Sequence, residues 1–346
     1  MRGIHIFLSL VVVGSILSAL FVITGTSHAI SKLAIPKQQY GLLSAPYVDG
    51  KILFLPDSML GRAIEILIET KGDTLAQHVI EITDGYDAVI GNFEGAVPER
   101  HTPTKNDSLI FSVQREHMKF LRNTGFTTLS LANNHSFDFG EAGYNNTIKV
   151  CAELLLTCAG NPEEVTSTSV AYVTSGDARI AILMLNDVDK SLSMETLVTT
   201  VHDTRLQSDI QIVFIHWGEE YSTGHTTRQE AIAKSLIDQG VDAVIGHHPH
   251  VVADIDIYKE KPIFYSLGNF IFDQYFDKAV QEGYGVSLTI EKDFITYTLI
   301  PYETYTKKSH PTVLTGTAYD AFMENILNRS AISAEQLRVP REEEVR

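Results

Sequence analysis

Five short apolar runs in this chain each lead into a residue that can hold a proton or a metal ion. Lys51–Leu55 leads into Pro56-Asp57. Ala88–Ile90 leads into Gly91-Asn92-Phe93-Glu94-Gly95. Thr127–Leu131 leads into Ala132-Asn133-Asn134-His135, with Asp138 just beyond. Ile210–Ile215 leads into His216-Trp217-Gly218-Glu219-Glu220, and Ala243–Ile245 into Gly246-His247-His248-Pro249-His250. Apolar runs of this length read as buried strands. In an open α/β sheet the ligand crevice lies at the carboxyl ends of the strands. A sheet of that kind brings all five endings to one place.

The intervening stretches carry helix signals. Leu60 to Ile82 is helical, and Arg115–Asn123 ends at Gly125. Glu141–Leu155 sets Ile148, Ala152 and Leu155 on one face. Thr227-Arg228-Gln229-Glu230 reads as a capping box, followed by Ile232, Leu236 and a stop at Gly240. Ile180–Leu185, Val251–Ile257 and Ile263–Leu267 are further strands, and Tyr284–Tyr302 alternates like a hairpin across Lys292-Asp293. Strand and helix alternate up to Gly240 and strands dominate after it. That order predicts an α/β sheet core with an added antiparallel portion.

The N-terminus sets the expected compartment. No Lys, Arg, Asp or Glu occurs from Gly3 to Ser31, and Ile6 to Ile23 is nearly all apolar. Such a run is long enough to cross a bilayer as a helix. With Arg2 ahead of it, the layout is that of an uncleaved signal-anchor, although Ser27-His28-Ala29 also resembles a cleavage site. The expectation is a single-pass membrane protein with its main domain outside the cytoplasm. Residues 1–30 form the anchor, 31–48 a tether, 49–305 the main domain, and 306–346 a C-terminal helix and charged tail. Cys151 falls in a helical pattern and Cys158 in a strand, so both read as buried free thiols. With 27 basic and 43 acidic side chains, the net charge is −16. That excludes nucleic acid as a partner, because binding phosphates rests on Lys and Arg contacts.

Imidazoles and carboxylates without thiolates suit Zn, Mn, Fe or a similar divalent ion. Three His, two acids and an Asn exceed what one four-coordinate ion needs. A pair of ions sharing a carboxylate uses them all, and such pairs clamp the oxygens of an in-line displacement. Taken singly, the residues have blander readings. Asp57 reads as a helix N-cap, Glu94 as a solvated loop acid, and Asn133-Asn134 as turn formers. His216 reads as a packed histidine. His247-His248-Pro249-His250 differs, because three imidazoles in four residues directly after a strand have little structural use. His101, His117, His202, His225 and His310 read as surface residues.

At these motifs the chain resembles the bacterial capsule synthesis proteins of the poly-γ-glutamate type, the CapA/PgsA family, which is similar in turn to the calcineurin-like metallophosphoesterases. The matching stretches are Asp57-Ser58-Met59-Leu60-Gly61-Arg62, Asn92-Phe93-Glu94-Gly95, Leu131-Ala132-Asn133-Asn134-His135, His216-Trp217-Gly218-Glu219-Glu220-Tyr221, Gly246-His247-His248-Pro249-His250-Val251 and Tyr265-Ser266-Leu267-Gly268-Asn269-Phe270. The resemblance implies an α/β (α+β) fold, a four-layer αββα sandwich, behind one N-terminal transmembrane helix. It implies that Asp57 holds one ion and Glu94 lies near both. Asn134, His216 and His248 then hold the second ion, and His250 the first. His135 is implied as the general acid, with Asp138 orienting it.

Two departures from the phosphoesterase pattern weaken the first ion site. Met59 stands where a His is usual, and Asn92 where an Asp is usual, with the acid displaced to Glu94. The expected cofactor is therefore one or two ions of Mn, Fe or Zn. The expected partner is a phosphoester or an anionic capsule polymer, together with other membrane capsule-synthesis subunits. The competing roles are a metal-dependent hydrolase, a non-catalytic polymer-binding or export partner, and an amide hydrolase on poly-γ-glutamate.

Overall fold

The computed structural model of the protein describes residues 47–188 and 190–341. The expected anchor, nearly all of the tether and the acid run 342–344 lie outside the described residues. Among the described residues, no helix is long and apolar enough to cross a membrane.

The chain runs β1 (Gly50–Ser58), α1 (Arg62–Thr83), β2 (Ala88–Phe93), α2 (Arg115–Asn123), β3 (Thr128–Ser130), α3 (Gly140–Glu153) and β4 (Thr157–Ala159). Then follow β5 (Val170–Ser175), β6 (Ala178–Asn186), α4 (Met194–Arg205), β7 (Ile210–His216), α5 (Thr227–Asp238) and β8 (Ala243–His247). The remainder is β9 (Ile255–Tyr258), β10 (Lys261–Phe264), β11 (Asn269–Ile271), β12 (Glu282–Ile290), β13 (Phe294–Glu303), β14 (Thr312–Val313), α6 (Gly316–Ser330) and β15 (Arg338–Pro340).

These strands form two sheets. One has the order β14-β13-β12-β1-β2-β3-β4, with β11 beside β1 and β15 beside β13. The other has the order β5-β6-β7-β8-β10-β9. In the first, β1 through β4 are parallel and the β12–β13 hairpin joins β1 antiparallel. In the second, β6, β7, β8 and β10 are parallel, with antiparallel β5 and β9 at the edges. The added antiparallel portion thus extends a parallel core.

The continuous apolar runs have a layered cause. In β1, Ile52 and Phe54 face the second sheet, while Leu53 and Leu55 face helices. In β7, Ile212 and Phe214 face the first sheet, and Val213 and Ile215 face the other way. Side chains alternate across a strand, so a strand covered on both faces has no polar side to display. Phe54 meets Phe214 across the middle layer with ring centroids 5.5 Å apart. α1, α2 and α3 cover the outer face of the first sheet through Leu75, Val79, Met118, Leu121 and Val150. α4 and α5 cover the second through Leu197, Val201, Ile232 and Leu236. Ile326, Leu337 and Val339 carry the C-terminal segment into the middle layer.

Several sequence expectations change. Cys151 and Cys158 form a disulfide rather than free thiols. α3 ends at Glu153, and Leu155 takes a φ of 58°, so β4 returns along the helix. That reversal brings the two Cα atoms to 6.1 Å, within disulfide reach. The buried face of α3 is Tyr144, Thr147, Val150 and Cys151, whereas Ile148 and Leu155 are exposed. Tyr144 anchors the buried face by donating to the Gly160 carbonyl at 2.6 Å. The capping box of α5 sits one residue earlier than expected. Thr226 Oγ1 accepts from the Gln229 N–H, and Gln229 Oε1 accepts from the Thr226 N–H.

The strand expected from Val251 begins at Ile255 instead. His248 and His250 take φ values of 100° and 59°, so the chain leaves β8 in a turn. His117 and His310 are buried rather than on the surface. His101 is half-buried between Ser112 and Glu65, with contacts of 2.9 and 3.0 Å.

Candidate metal centre

All five donor-bearing strand ends meet at one edge of the sandwich. β1 supplies Asp57 just before its last residue, and Glu94 directly follows β2. Asn134 and His135 follow β3, while His216 ends β7 and His247 ends β8. Parallel pairing of β1 with β2 and of β7 with β8 forces neighbouring ends to the same side.

Asp57 is the hub. It is fully buried and accepts from Asn92 Nδ2 at 2.8 Å and from the His248 N–H at 3.0 Å. His247 Nδ1 lies 3.2 Å from its Oδ1, and His250 Nδ1 lies 3.4 Å from its Oδ2. Two groups of potential ligands share it. Asp57, His216 and His247 form one, and Asp57, Glu94 and His250 the other, each with donor atoms within 4.8 Å of one another. Asp57 rather than Glu94 is thus the carboxylate common to both groups. His247 is the member that the sequence reading placed in the cluster without giving it a role.

The other expected residues stand close by. Asn134 Oδ1 is 2.9 Å from His216 Nε2, linking the two sheets. The His248 ring lies 4.5 Å from that of His216, outside both three-residue groups. His135 Nε2 and His250 Nε2 approach the same atom, Glu94 Oε1, at 3.9 and 3.7 Å. His135 Nδ1 is 3.1 Å from Asp138 Oδ2. Both residues sit at the rim, with side chains 13% and 12% exposed. Asn92 uses its oxygen to accept from Asn133 and its nitrogen to donate to Asp57. It therefore serves as a hydrogen-bonding brace in the place of a third acid.

The donor set fits a divalent cation. Both oxygens of Glu94, Nε2 of His247 and Nδ1 of His248 are buried without a hydrogen-bond partner. A buried polar atom left unpaired costs roughly 1–3 kcal/mol. The two free oxygens of Glu94, grouped with Asp57 and His250, call for a ligand that accepts lone pairs.

The protonation states agree with this. Burial pushes the Asp57 carboxyl up, but hydrogen bonds from His247 and His250 outweigh it and hold it well below the usual range. Burial raises Glu94 well above its usual value, and the Asp57 charge adds to this. Burial depresses His216 and His247, and takes His248 to about 3. Burial also works against a charged His250, yet the Glu94 and Asp57 carboxylates bring it to about 9. Without a cation, His250 therefore carries a proton at neutral pH. A ligand must shed its proton to bind a metal. His250 stays charged below about 9, so cation affinity is expected to rise with pH from 6 to 9. The slope is about tenfold per pH unit for each proton displaced. Mn calorimetry in buffers of different ionisation enthalpy counts those protons, and a pH-independent affinity contradicts the assignment.

Comparisons with known proteins follow the same motifs. The family model described as bacterial capsule synthesis protein PGA_cap matches residues 51–274. The chain is 35% identical over 240 residues to the capsule biosynthesis protein CapA of Bacillus anthracis, covering 63% of this chain and 58% of that protein. It is 33% identical over 238 residues to the PGA biosynthesis protein CapA of Bacillus subtilis (strain 168), covering 64% and 63%. The chain thus spans about three fifths of the length of these relatives. In fold it is similar to a hypothetical protein from Thermus thermophilus, with a TM-score of 0.51 at 15% identity over 73% of this chain and 99% of that one. A match that spans β1 to the segment after β11 takes in every donor of the site, and on it the chain belongs to the bacterial capsule synthesis protein PGA_cap family.

Proposed function

We propose that this chain serves capsule polymer biosynthesis outside the cytoplasm, using a divalent-metal site to hydrolyse a phosphoester. The convergence of Glu94's unpaired oxygens with Asp57 and the buried imidazoles carries the reading. Relatives named for capsule and PGA biosynthesis support the biological role. The Cys151–Cys158 bridge and the apolar N-terminal run support the compartment, since disulfides persist in oxidising surroundings.

Asp57, Glu94, His216, His247 and His250 would hold the cation, with Asn134 and His248 beside them. A divalent ion there supplies Lewis-acid polarisation of a phosphoryl oxygen. The chain's own residues do the proton work. His135 donates its Nε2 proton to the leaving oxygen, and Asp138 holds Nδ1 and fixes the ring. The rim position of His135 gives it access to substrate that the buried imidazoles lack.

The test is metal content of the full-length chain, prepared without chelator or nickel, together with Mn-dependent turnover of a chromogenic phosphodiester. His135→Ala is expected to keep its metal and lose about 10²-fold or more in kcat. Turnover unchanged by that substitution sinks the hydrolase reading.

One observation favours a second reading. The Asn92 amide donates to Asp57, so position 92 adds a hydrogen bond rather than a further carboxylate beside the shared Asp57. A single ion per chain, without turnover, points instead to a site that binds the carboxylates of an anionic polymer.

A further inference from the structure

We propose that Arg62 is a positioning residue that sets the planes of His135 and His250 through a stack of two phenyl rings. The inference rests on the site reading above. Arg62 opens α1 with a φ of 50°, a left-handed conformation that bulky residues seldom adopt. Its side chain is only 8% exposed and is paired with Asp273, itself 2% exposed. Nη1 donates to the Ser108 carbonyl at 2.9 Å, while Nε is buried without a partner. A long cation bent inward at the first residue of a helix is poorly explained by the helix itself.

What it covers explains it. The guanidinium carbon lies 4.6 Å from the Phe111 ring centroid and 5.7 Å from that of Phe272. The two rings meet edge to face at 5.9 Å. Phe111 stacks on His135 at 3.9 Å and 29°. Phe272 packs against His250 at 5.0 Å. One cation thus backs two phenyl rings, and each ring backs one of the two imidazoles whose Nε2 atoms approach Glu94 Oε1. The Phe111 N–H also donates to Asp138 Oδ2 at 2.6 Å, the oxygen that faces His135 Nδ1. Ring plane and ring nitrogen of His135 are therefore fixed by one segment, and Arg62 presses that segment into place.

The planar guanidinium is the required feature, because only a flat cation stacks this way. Arg62→Lys keeps the charge and loses the plane. In the full-length chain with ¹⁵N-labelled histidine rings, Arg62→Leu and Arg62→Lys are both expected to shift the His135 and His250 signals and leave the exposed His202 in place. With Mn and the chromogenic phosphodiester, kcat is expected to fall about tenfold or more, with KM within about twofold. His135 and His250 signals that superpose on those of the unaltered protein overturn the proposal, as does full rescue by Lys. Should both variants fail to fold, Phe111→Leu leaves the Arg62–Asp273 pair intact and must shift His135, and an unmoved His135 overturns the stack. An unaltered protein that takes up no Mn and turns nothing over defeats the hydrolase reading, while the ring signals still decide the role of Arg62.

Discussion

Asp57→Asn is expected to strip the site of its metal and to lower turnover about 100-fold or more while leaving the fold intact. The substitution is nearly isosteric, so the packing of β1 against β2 and β12 is kept. What changes is the lone-pair count. Asp57 accepts from Asn92 and from the His248 N–H and also faces His247 and His250. An amide turns an N–H₂ group toward partners that are themselves donors. Because Asp57 is common to both donor groups, its loss weakens both, whereas losing His216 or Glu94 weakens one. The change has a second signature. His250 is raised to about 9 partly by Asp57, so in Asp57→Asn its pKa must fall. Metal analysis and ring titration of His250 measure the two effects independently. A variant that keeps its full metal complement removes Asp57 from the centre of the site.

Much of this was legible in the sequence because strand ends are local. An apolar run followed by His, Asp or Asn states both the element and its exit, and parallel pairing then gathers the exits. The five runs at Lys51, Ala88, Thr127, Ile210 and Ala243 needed no tertiary knowledge. What escaped was decided by contacts between distant segments. The buried face of α3 follows from its packing under the first sheet, and its own periodicity fits Ile148 with Leu155 as well as Tyr144 with Cys151. The disulfide depends on a single left-handed residue, Leu155, which no pattern marks. His101 and His117 looked like loop and helix-surface residues until α1 supplied Glu65 and Glu69 to cover them. The role of His247 was hidden in a cluster where neighbouring imidazoles point different ways. Only the folded chain separates His247, which turns to Asp57 Oδ1, from His248, which offers Asp57 its backbone N–H.

Gly246→Ala is expected to cost roughly 2–6 kcal/mol and to empty the metal site, although position 246 holds no ligand. Gly246 lies in β8, paired with Ile215, one residue before His247. A Cβ there would stand 2.3 Å from Trp217 Nε1 and 2.3 Å from the Tyr265 carbonyl oxygen. Those two atoms are hydrogen-bonded to each other at 2.9 Å in a fully buried position. The methyl group must therefore break that bond or push one partner away, and backbone yields less readily than a flexible side-chain tip. Overpacking costs typically about 1–3 kcal/mol, and a stranded indole N–H about as much again. Each displaced partner is also a neighbour of the site. Trp217 follows His216, Tyr265 leads from β10 toward Asn269, and Asn269 Oδ1 lies 2.9 Å from His250 Nδ1. Two ligands, His216 and His250, thus hang from the groups that Gly246 lets approach, and a third, His247, follows Gly246 directly. Gly224→Ala is the matched control, because a Cβ there meets nothing within 4 Å. Urea midpoints and Mn uptake of the two variants, measured side by side, decide the matter. Equal midpoints with equal uptake mean that β8 and Trp217 have room to spare, and that the close approach at Gly246 does not fix the site.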